Sequence, residues 1–132
     1  MARPKKLPVP PALHELEAEV MEEVWRHEEI SVRELMEIVN RRASKPRAYT
    51  TYMTIMSRLD DKGMLSRRRE GKADIYFAVF SRDEYRELRA QSEVRELVSE
   101  FGDVALAQFA REMNQLDPQR LRELRRVARR SD

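Results

Sequence analysis

The 132 residues contain no cysteine, and that absence removes disulfides, thiolate zinc sites and cysteine nucleophiles together. Such a chain suits a reducing cytosol. Histidine is scarce too: His14 and His27 stand thirteen residues apart with no thiol to complete a metal site, so a metal centre would rest on Asp and Glu alone. The acids occur instead as runs beside bases, the ordinary pattern of solvated helix faces. No Gly-rich phosphate loop is present. Neither catalysis nor a cofactor is expected. No apolar run approaches the length of a membrane span, and the start, MARPKKLPVPPA, lacks the apolar centre of a signal peptide. The expectation is a soluble, cytoplasmic protein without membrane insertion.

What is present is charge, and it is segregated. The chain is 41% hydrophobic and 38% charged, enough for one domain or a small domain with an appendage. Its formal net charge is only +2. Yet residues 11–40 hold nine acids against Arg26 and Arg33, a net of −7, whereas residues 41–72 hold ten bases against Asp60, Asp61 and Glu70, a net of +7. A positive block of that density is the footprint expected of a phosphate-binding surface.

Residues 1–12 carry four prolines with Arg3, Lys5 and Lys6 and read as a mobile basic arm. From 13 to 27, Leu13, Leu16, Val20 and Val24 recur at helical spacing with Met21 and Trp25 beside them, which predicts a first helix with Trp25 as a core anchor. Ser31 and Glu34 form a capping-box pattern, and the helix they start runs to about Arg42, burying Val32, Leu35, Met36 and Val39. Lys45-Pro46 breaks the chain, because the residue before proline resists helical geometry. A third helix then occupies residues 48–63, AYTTYMTIMSRLDDKG, with Ile55, Met56 and Leu59 as its apolar stripe and Gly63 as its left-handed stop. Helix, capped helix, short break and helix is the order of a helix-turn-helix.

Beyond Gly63 the period changes to two. Residues 65–70 and 73–80 flank Gly71-Lys72, and the second run, with Ile75, Tyr76, Phe77, Val79 and Phe80, is rich in strand formers. A basic hairpin directly after the third helix is the wing of a winged helix. Ser81 and Glu84 repeat the capping box ahead of a long helix to about Glu100. Asp103 is the expected cap of a following helix, and Asp117-Pro118 starts the last one. These late helices have apolar stripes but no sheet or large core to cover them. Leu97, Val98, Phe101, Leu106, Phe109, Met113, Leu121 and Leu124 are therefore expected to pack against a second copy. The fold class is mainly α with a small β-hairpin wing. Its divisions are an arm at 1–12, a winged-helix domain at 13–81 and a helical dimerisation region at 82–132.

Candidate DNA contacts follow from side-chain chemistry. Thr50, Thr51 and Thr54 can donate to base edges or phosphates, and their methyls can meet the thymine methyl; Thr50 can equally serve as a cap. Met53 lies on the same arc, and Arg58 is one turn beyond Thr54. On the hairpin, alternation keeps Arg67 and Arg69 on the face opposite Arg68, so those two with Lys72 at the tip, and Arg47 ahead of the helix, are the expected phosphate contacts. Asp60 and Asp61 are expected to face away from DNA. The alternative is a winged-helix protein-interaction module, against which the concentrated positive block argues.

The ordered set ELEAEVMEEVW (15–25), ISVRELMEIVN (30–40), AYTTYMTIMSRLDDKGML (48–65), IYFAVFSRDEY (75–85) and LDPQRLRELRRV (116–127) resembles the penicillinase-repressor family of BlaI/MecI type. That resemblance implies a homodimeric repressor of inverted-repeat operators with TACA/TGTA-like half-sites, controlling β-lactam resistance or related stress genes. It implies relief by proteolysis through a membrane sensor protease. The family's cut falls at an Asn-Phe bond, and the corresponding pair here, Gln108-Phe109, departs from it. Copper-responsive relatives use a C-terminal cysteine cluster for which this chain has no ligands.

Overall fold

The structure, a computed structural model, describes residues 9–130; Arg3, Lys5 and Lys6 of the expected arm lie outside the described residues. The chain divides after Ala90 into two compact units.

In the first unit, α1 (Glu15–Val24) ends before His27, the end suggested by its apolar spacing. The backbone N–H groups of Arg26 and His27 bond three residues back, to Glu23 and Val24, which tightens the last turn and feeds the chain into β1 (Ile30–Ser31). Two residues are too few for an alternation signal, so this strand is invisible in the sequence. Ser31 closes β1 and caps α2 (Val32–Arg42): its Oγ accepts from Glu34 N at 3.1 Å while Ser31 N donates to Glu34 Oε1 at 3.2 Å. Val32, Leu35 and Val39 are buried as the stripe predicts, with Met36 half-buried.

α3 (Tyr49–Asp61) buries Tyr52, Ile55, Met56 and Leu59, each contributing roughly 1.5–3 kcal/mol of transfer free energy. It ends as expected at Gly63, φ 81°. Gly63 N donates to Asp60 O at 3.0 Å and Met64 N to Leu59 O at 2.9 Å, a Schellman pair that also seats Met64 in the core. β2 (Leu65–Glu70) and β3 (Ala73–Ala78) then pair across Gly71-Lys72, with Glu70 opposite Ala73 and Arg67 opposite Tyr76. Gly71 has φ 62°, the first central position of a two-residue hairpin turn. The sheet order is β1-β3-β2, so β3 is central. Its core face carries Tyr76, and buried Phe80 follows the strand, while Phe77 stays exposed.

Trp25 anchors α1 as expected: its indole N–H donates to Phe80 O at 2.9 Å and its ring lies 5.4 Å from that of Tyr85. Tyr85 belongs to α4 (Arg82–Phe101), which opens on the Ser81–Glu84 capping box and crosses from the first unit into the second. Its hydroxyl donates to Pro11 O at 3.3 Å, and Arg89 donates to Pro10 O at 3.2 Å.

The second unit continues with α5 (Asp103–Asn114) and α6 (Pro118–Arg130). Gly102, not Asp103, is the α5 cap, with φ 58°. Leaving α4 and starting α5 within one residue requires a left-handed backbone that glycine adopts without strain. Asp117 does cap α6, accepting from Arg120 N at 2.9 Å. Ala105 is the only buried residue among those described in this unit; Phe101, Val104 and Leu106 are all at least half exposed. No helix of the described residues is long and apolar enough to cross a membrane.

Two buried carboxylates tie the helices of the first unit. Glu17, 2% exposed, takes both Lys62 contacts at 2.7 and 2.8 Å and the His14 N–H at 3.0 Å. Glu23, 3% exposed, meets Arg26 at 3.0 Å, His27 at 2.8 Å and Arg42 at 2.8 Å. Burial alone would raise both carboxyl pKa values, but for Glu17 the Lys62 and His14 contacts outweigh it, and for Glu23 the Arg42, His27 and Arg26 contacts do. Both end below the ordinary 4.5. Such pairs fix register more surely than they add net stability, yet removing one partner strands a buried charge.

Because the folded pKa values lie below the unfolded value, this stabilisation is complete above pH 4.5 and is lost as pH falls through the lowered values. Lys62→Met is expected to cost about 3 kcal/mol at pH 7, the low end for a broken buried pair because Lys62 is 30% exposed. Urea midpoints of Glu23→Gln measured from pH 7 to pH 3.5 should show a flatter acid fall than the parent; parallel curves would contradict the assignment.

Candidate nucleic-acid interface

A helix that buries Tyr52, Ile55, Met56 and Leu59 must present the residues between them. Thr50, Met53, Thr54, Ser57 and Arg58 are exposed, with Tyr49 at the helix start 41% exposed and Met53 47%. Thr51 is half-buried. The N-cap is Ala48 and it makes no side-chain capping bond, so the structural role open to Thr50 is not used. Asp60 is half-buried and meets Arg67 at 3.2 Å, on the wing side of the helix. Asp61 is exposed and, eleven residues after Thr50, returns to the same arc. The expectation for Asp61 is corrected by helical geometry, and the useful surface is the N-terminal two-thirds of α3.

The angle at which α3 leaves α2 is held by one amide. Asn40 Oδ1 accepts from Arg47 N at 3.0 Å and from the Tyr52 hydroxyl at 2.7 Å, while Asn40 Nδ2 donates to Arg47 O at 2.9 Å. Tyr52 is fully buried, so this is the partner its hydroxyl needs. At the far end of α3 the Glu17–Lys62 pair fastens the helix to α1.

The wing lies beside this face. Met53, Thr54, Ser57 and Arg58 share a groove with Arg67, Asp74 and Tyr76, and Thr50, Thr51, Thr54 and Arg58 line a second concavity with Leu16. A third cleft, of about 530 Å³, brings Tyr49 and Met53 together with Arg33, Arg69 and Lys72. Thus the three threonines, Met53, Arg58, Arg67, Arg69 and Lys72 are assembled around α3. Arg47 lines none of these grooves; its guanidinium is 3.9 Å from Glu19.

Much of the positive block is spoken for. Arg42 pairs with Glu23, Lys62 with Glu17, Arg67 with Asp60 and Asp74, Arg68 with Glu29 and Glu70, and Arg69 with Asp74. The acidic and basic segments are therefore partly each other's counter-charges. Among the described residues Arg58 and Lys72 have no ion pair, and they remain the uncommitted cations of the α3 and wing surfaces. The wing pairs are solvent-exposed and cheap to exchange for phosphate.

Sequence reasoning missed four residues here. Ser57 follows Thr54 at helical spacing and could have been found; Tyr49 stood outside the threonine run. Arg33, whose guanidinium lies 5.8 Å from the Tyr49 ring centre, and Asn40 gave no local signal, because each acts across the α2–α3 break.

The chain matches the family described as penicillinase repressor over residues 13–130. It is 38% identical over 73 residues to the transcriptional regulator BlaI of Mycobacterium tuberculosis, covering 54% of this chain and 51% of that protein. It is 28% identical over 83 residues to the penicillinase repressor of Bacillus licheniformis, covering 62% of each. The matches thus span about half to three-fifths of those relatives' lengths. The solution structure of the DNA binding domain of the repressor BlaI superimposes with a TM-score of 0.51 at 26% identity, over 59% of this chain and 92% of that domain.

Asn40→Ala removes three hydrogen bonds and leaves the buried Tyr52 hydroxyl without a partner, an expected loss of about 2 kcal/mol in urea unfolding. Asn40→Asp keeps the Oδ1 contacts but sets a carboxylate oxygen against Arg47 O in place of the Nδ2 donor, so it too should be destabilised. A change below about 0.5 kcal/mol for the alanine variant would show that the clasp does not hold the turn.

Proposed function

The chain belongs to the penicillinase repressor family, and on that premise we propose that it is a transcriptional repressor whose α3 reads operator DNA in the major groove. The observation that carries this reading is the outward face of α3, where Thr50, Met53, Thr54, Ser57 and Arg58 are exposed together, the last four in a groove shared with the wing and Arg58 unpaired. Short hydroxyl side chains can approach base edges, their methyls suit thymine, and Arg58 can reach guanine or phosphate. Lys72 at the wing tip, with Arg67 and Arg69 released from their acids, contacts the backbone. Arg47 reaches a phosphate only by leaving Glu19. Asp61 sets the far limit of the reading surface, because a carboxylate on that arc is repelled by phosphate.

The second unit is proposed to pair with a copy of itself. Leu97, Val98, Phe101, Leu106, Phe109, Met113, Leu121 and Leu124 supply apolar surface that the single chain leaves exposed or half-exposed. A dimer fits an inverted-repeat operator with half-sites separated by roughly 34–36 Å or a multiple. Family membership supports relief by a sensor protease in a cytosolic setting, with β-lactam resistance or a related stress response as the regulated output. The proposed cut, Gln108-Phe109, lies in the middle of α5, so cleavage there requires the helix to open locally.

Binding to a duplex with TACA/TGTA half-sites, followed by fluorescence anisotropy, tests the first part. Thr54→Ala is expected to cost about 1–3 kcal/mol on the operator and little on a scrambled duplex. Arg58→Ala should weaken operator binding at least as much. If the parent binds no duplex at low salt, the winged-helix protein-interaction module is the better reading.

Sedimentation velocity tests the second part. A dimer at micromolar concentration, converted to monomer by Phe101→Glu with the first unit still folded, is the expected result; a monomeric parent would remove the burial argument.

A further inference from the structure

We propose that Arg33, Tyr49 and Lys72 form a backbone clamp, a site for one DNA phosphodiester in the cleft between the α2–α3 corner and the wing. The inference rests on the operator-binding reading and adds to it residues outside the reading helix face.

Three observations converge. First, Arg33 and Lys72 line the same cleft as Tyr49 and Met53, so cations from α2 and from the wing tip face one space beside α3. Second, Arg33 is exposed and has no ion pair among the described residues, although Glu34 and Glu37 are its neighbours on α2. Its guanidinium rests instead over the Tyr49 ring, 5.8 Å from the centre. A cation held on an aromatic face keeps its N–H edge available, and stacking lowers the side-chain entropy lost when that edge takes a phosphate. Third, the acids of this cleft are already engaged. Glu70 meets Arg68 at 2.7 Å, and Asp74 meets Arg69 at 3.5 Å and Arg67 at 3.7 Å. The uncompensated charge in the cleft is that of Arg33 and Lys72.

A helix in the major groove with a hairpin beside it leaves the DNA strand to run between them. The group facing this cleft is therefore a phosphodiester. The Tyr49 hydroxyl supplies a neutral donor at the same point. Such contacts set register and affinity and carry no sequence information.

The test uses the full chain, with operator and scrambled duplexes titrated from 0.05 to 0.5 M salt. Arg33→Gln should weaken both duplexes alike, by roughly eightfold at 0.1 M salt, and reduce the salt slope by about 0.9. Lys72→Gln should do the same. Arg33→Lys should keep the slope, and Tyr49→Phe should keep the slope but lose about threefold in affinity, the size of one weak neutral hydrogen bond. Circular dichroism melting of each variant guards against unfolding; if Arg33→Gln melts early, the test rests on the slope of Lys72→Gln and the affinity loss of Tyr49→Phe. An unchanged slope for Arg33→Gln, while Thr54→Ala still loses discrimination, overturns the clamp and leaves operator reading intact. Loss confined to the operator would make Arg33 a base contact and also overturn it. A parent that binds neither duplex refutes operator reading itself.

Discussion

The Asn40 side chain is the constraint on which the interface depends. It spans the break at Lys45-Pro46 by bonding both backbone groups of Arg47, and it takes the Tyr52 hydroxyl from inside the core. A six-residue link with a proline has no regular hydrogen bonding of its own to fix a direction. With the amide in place, the start of α3 is referred back to the end of α2, and the buried side of α3 is referred to the same atom. The outward arc of Thr50, Thr54 and Ser57 is consequently fixed relative to α2, and Arg33 comes to rest over Tyr49. At the other end Lys62, held by Glu17, prevents the helix from swinging about that clasp.

Electrostatics here has two tasks that compete for the same residues. The acidic N-terminal third and the basic middle meet in the fold, through Glu17, Glu19, Glu23 and Glu29, and the Glu23–Arg42 and Glu17–Lys62 pairs position α1 against α2 and the end of α3. What remains unpaired is available to a polyanion without first breaking a pair. The residual charge is small in number but well placed, because the unpaired Arg58 lines the groove that α3 shares with the wing and the unpaired Lys72 lines the neighbouring cleft with Arg33 and Tyr49. Exposed pairs on the wing are a reserve, since an arginine that exchanges a carboxylate for a phosphate gives up little.

The elements with strong local codes were legible. Ser31–Glu34, Ser81–Glu84, Asp117-Pro118 and Gly63 each announce a helix end through chemistry confined to a few neighbouring residues, and the structure uses all of them. The hairpin was legible for the same reason. What was not legible depends on distance in sequence. β1 exists only because Ile30 finds Tyr76, Asn40 matters only because Tyr52 lies behind it, and Gly102 displaced Asp103 because the α4–α5 reversal is a matter of backbone path. The positive block was visible as charge, but its neutralisation was not, since counting along the chain cannot show that Glu17 lies against Lys62. In the interface, the periodicity of α3 found the exposed arc but mislaid Asp61, whose position follows from the same 100° step.

Ala105 as the sole buried residue described beyond Gln91 has a consequence for how the proposed repressor would respond to its own abundance. A unit with almost no interior of its own draws its cohesion from whatever covers Leu97, Phe101 and Leu106, and when that cover is another copy, its folding becomes a bimolecular event. Occupancy of a paired operator would then rise with about the square of chain number at low copy, not in proportion to it. A cell that dilutes the protein by growth, or severs a fraction of its chains, would cross from silence to expression over a narrow interval. The sparse core of α5 and α6 would thus act as the gain setting of the switch.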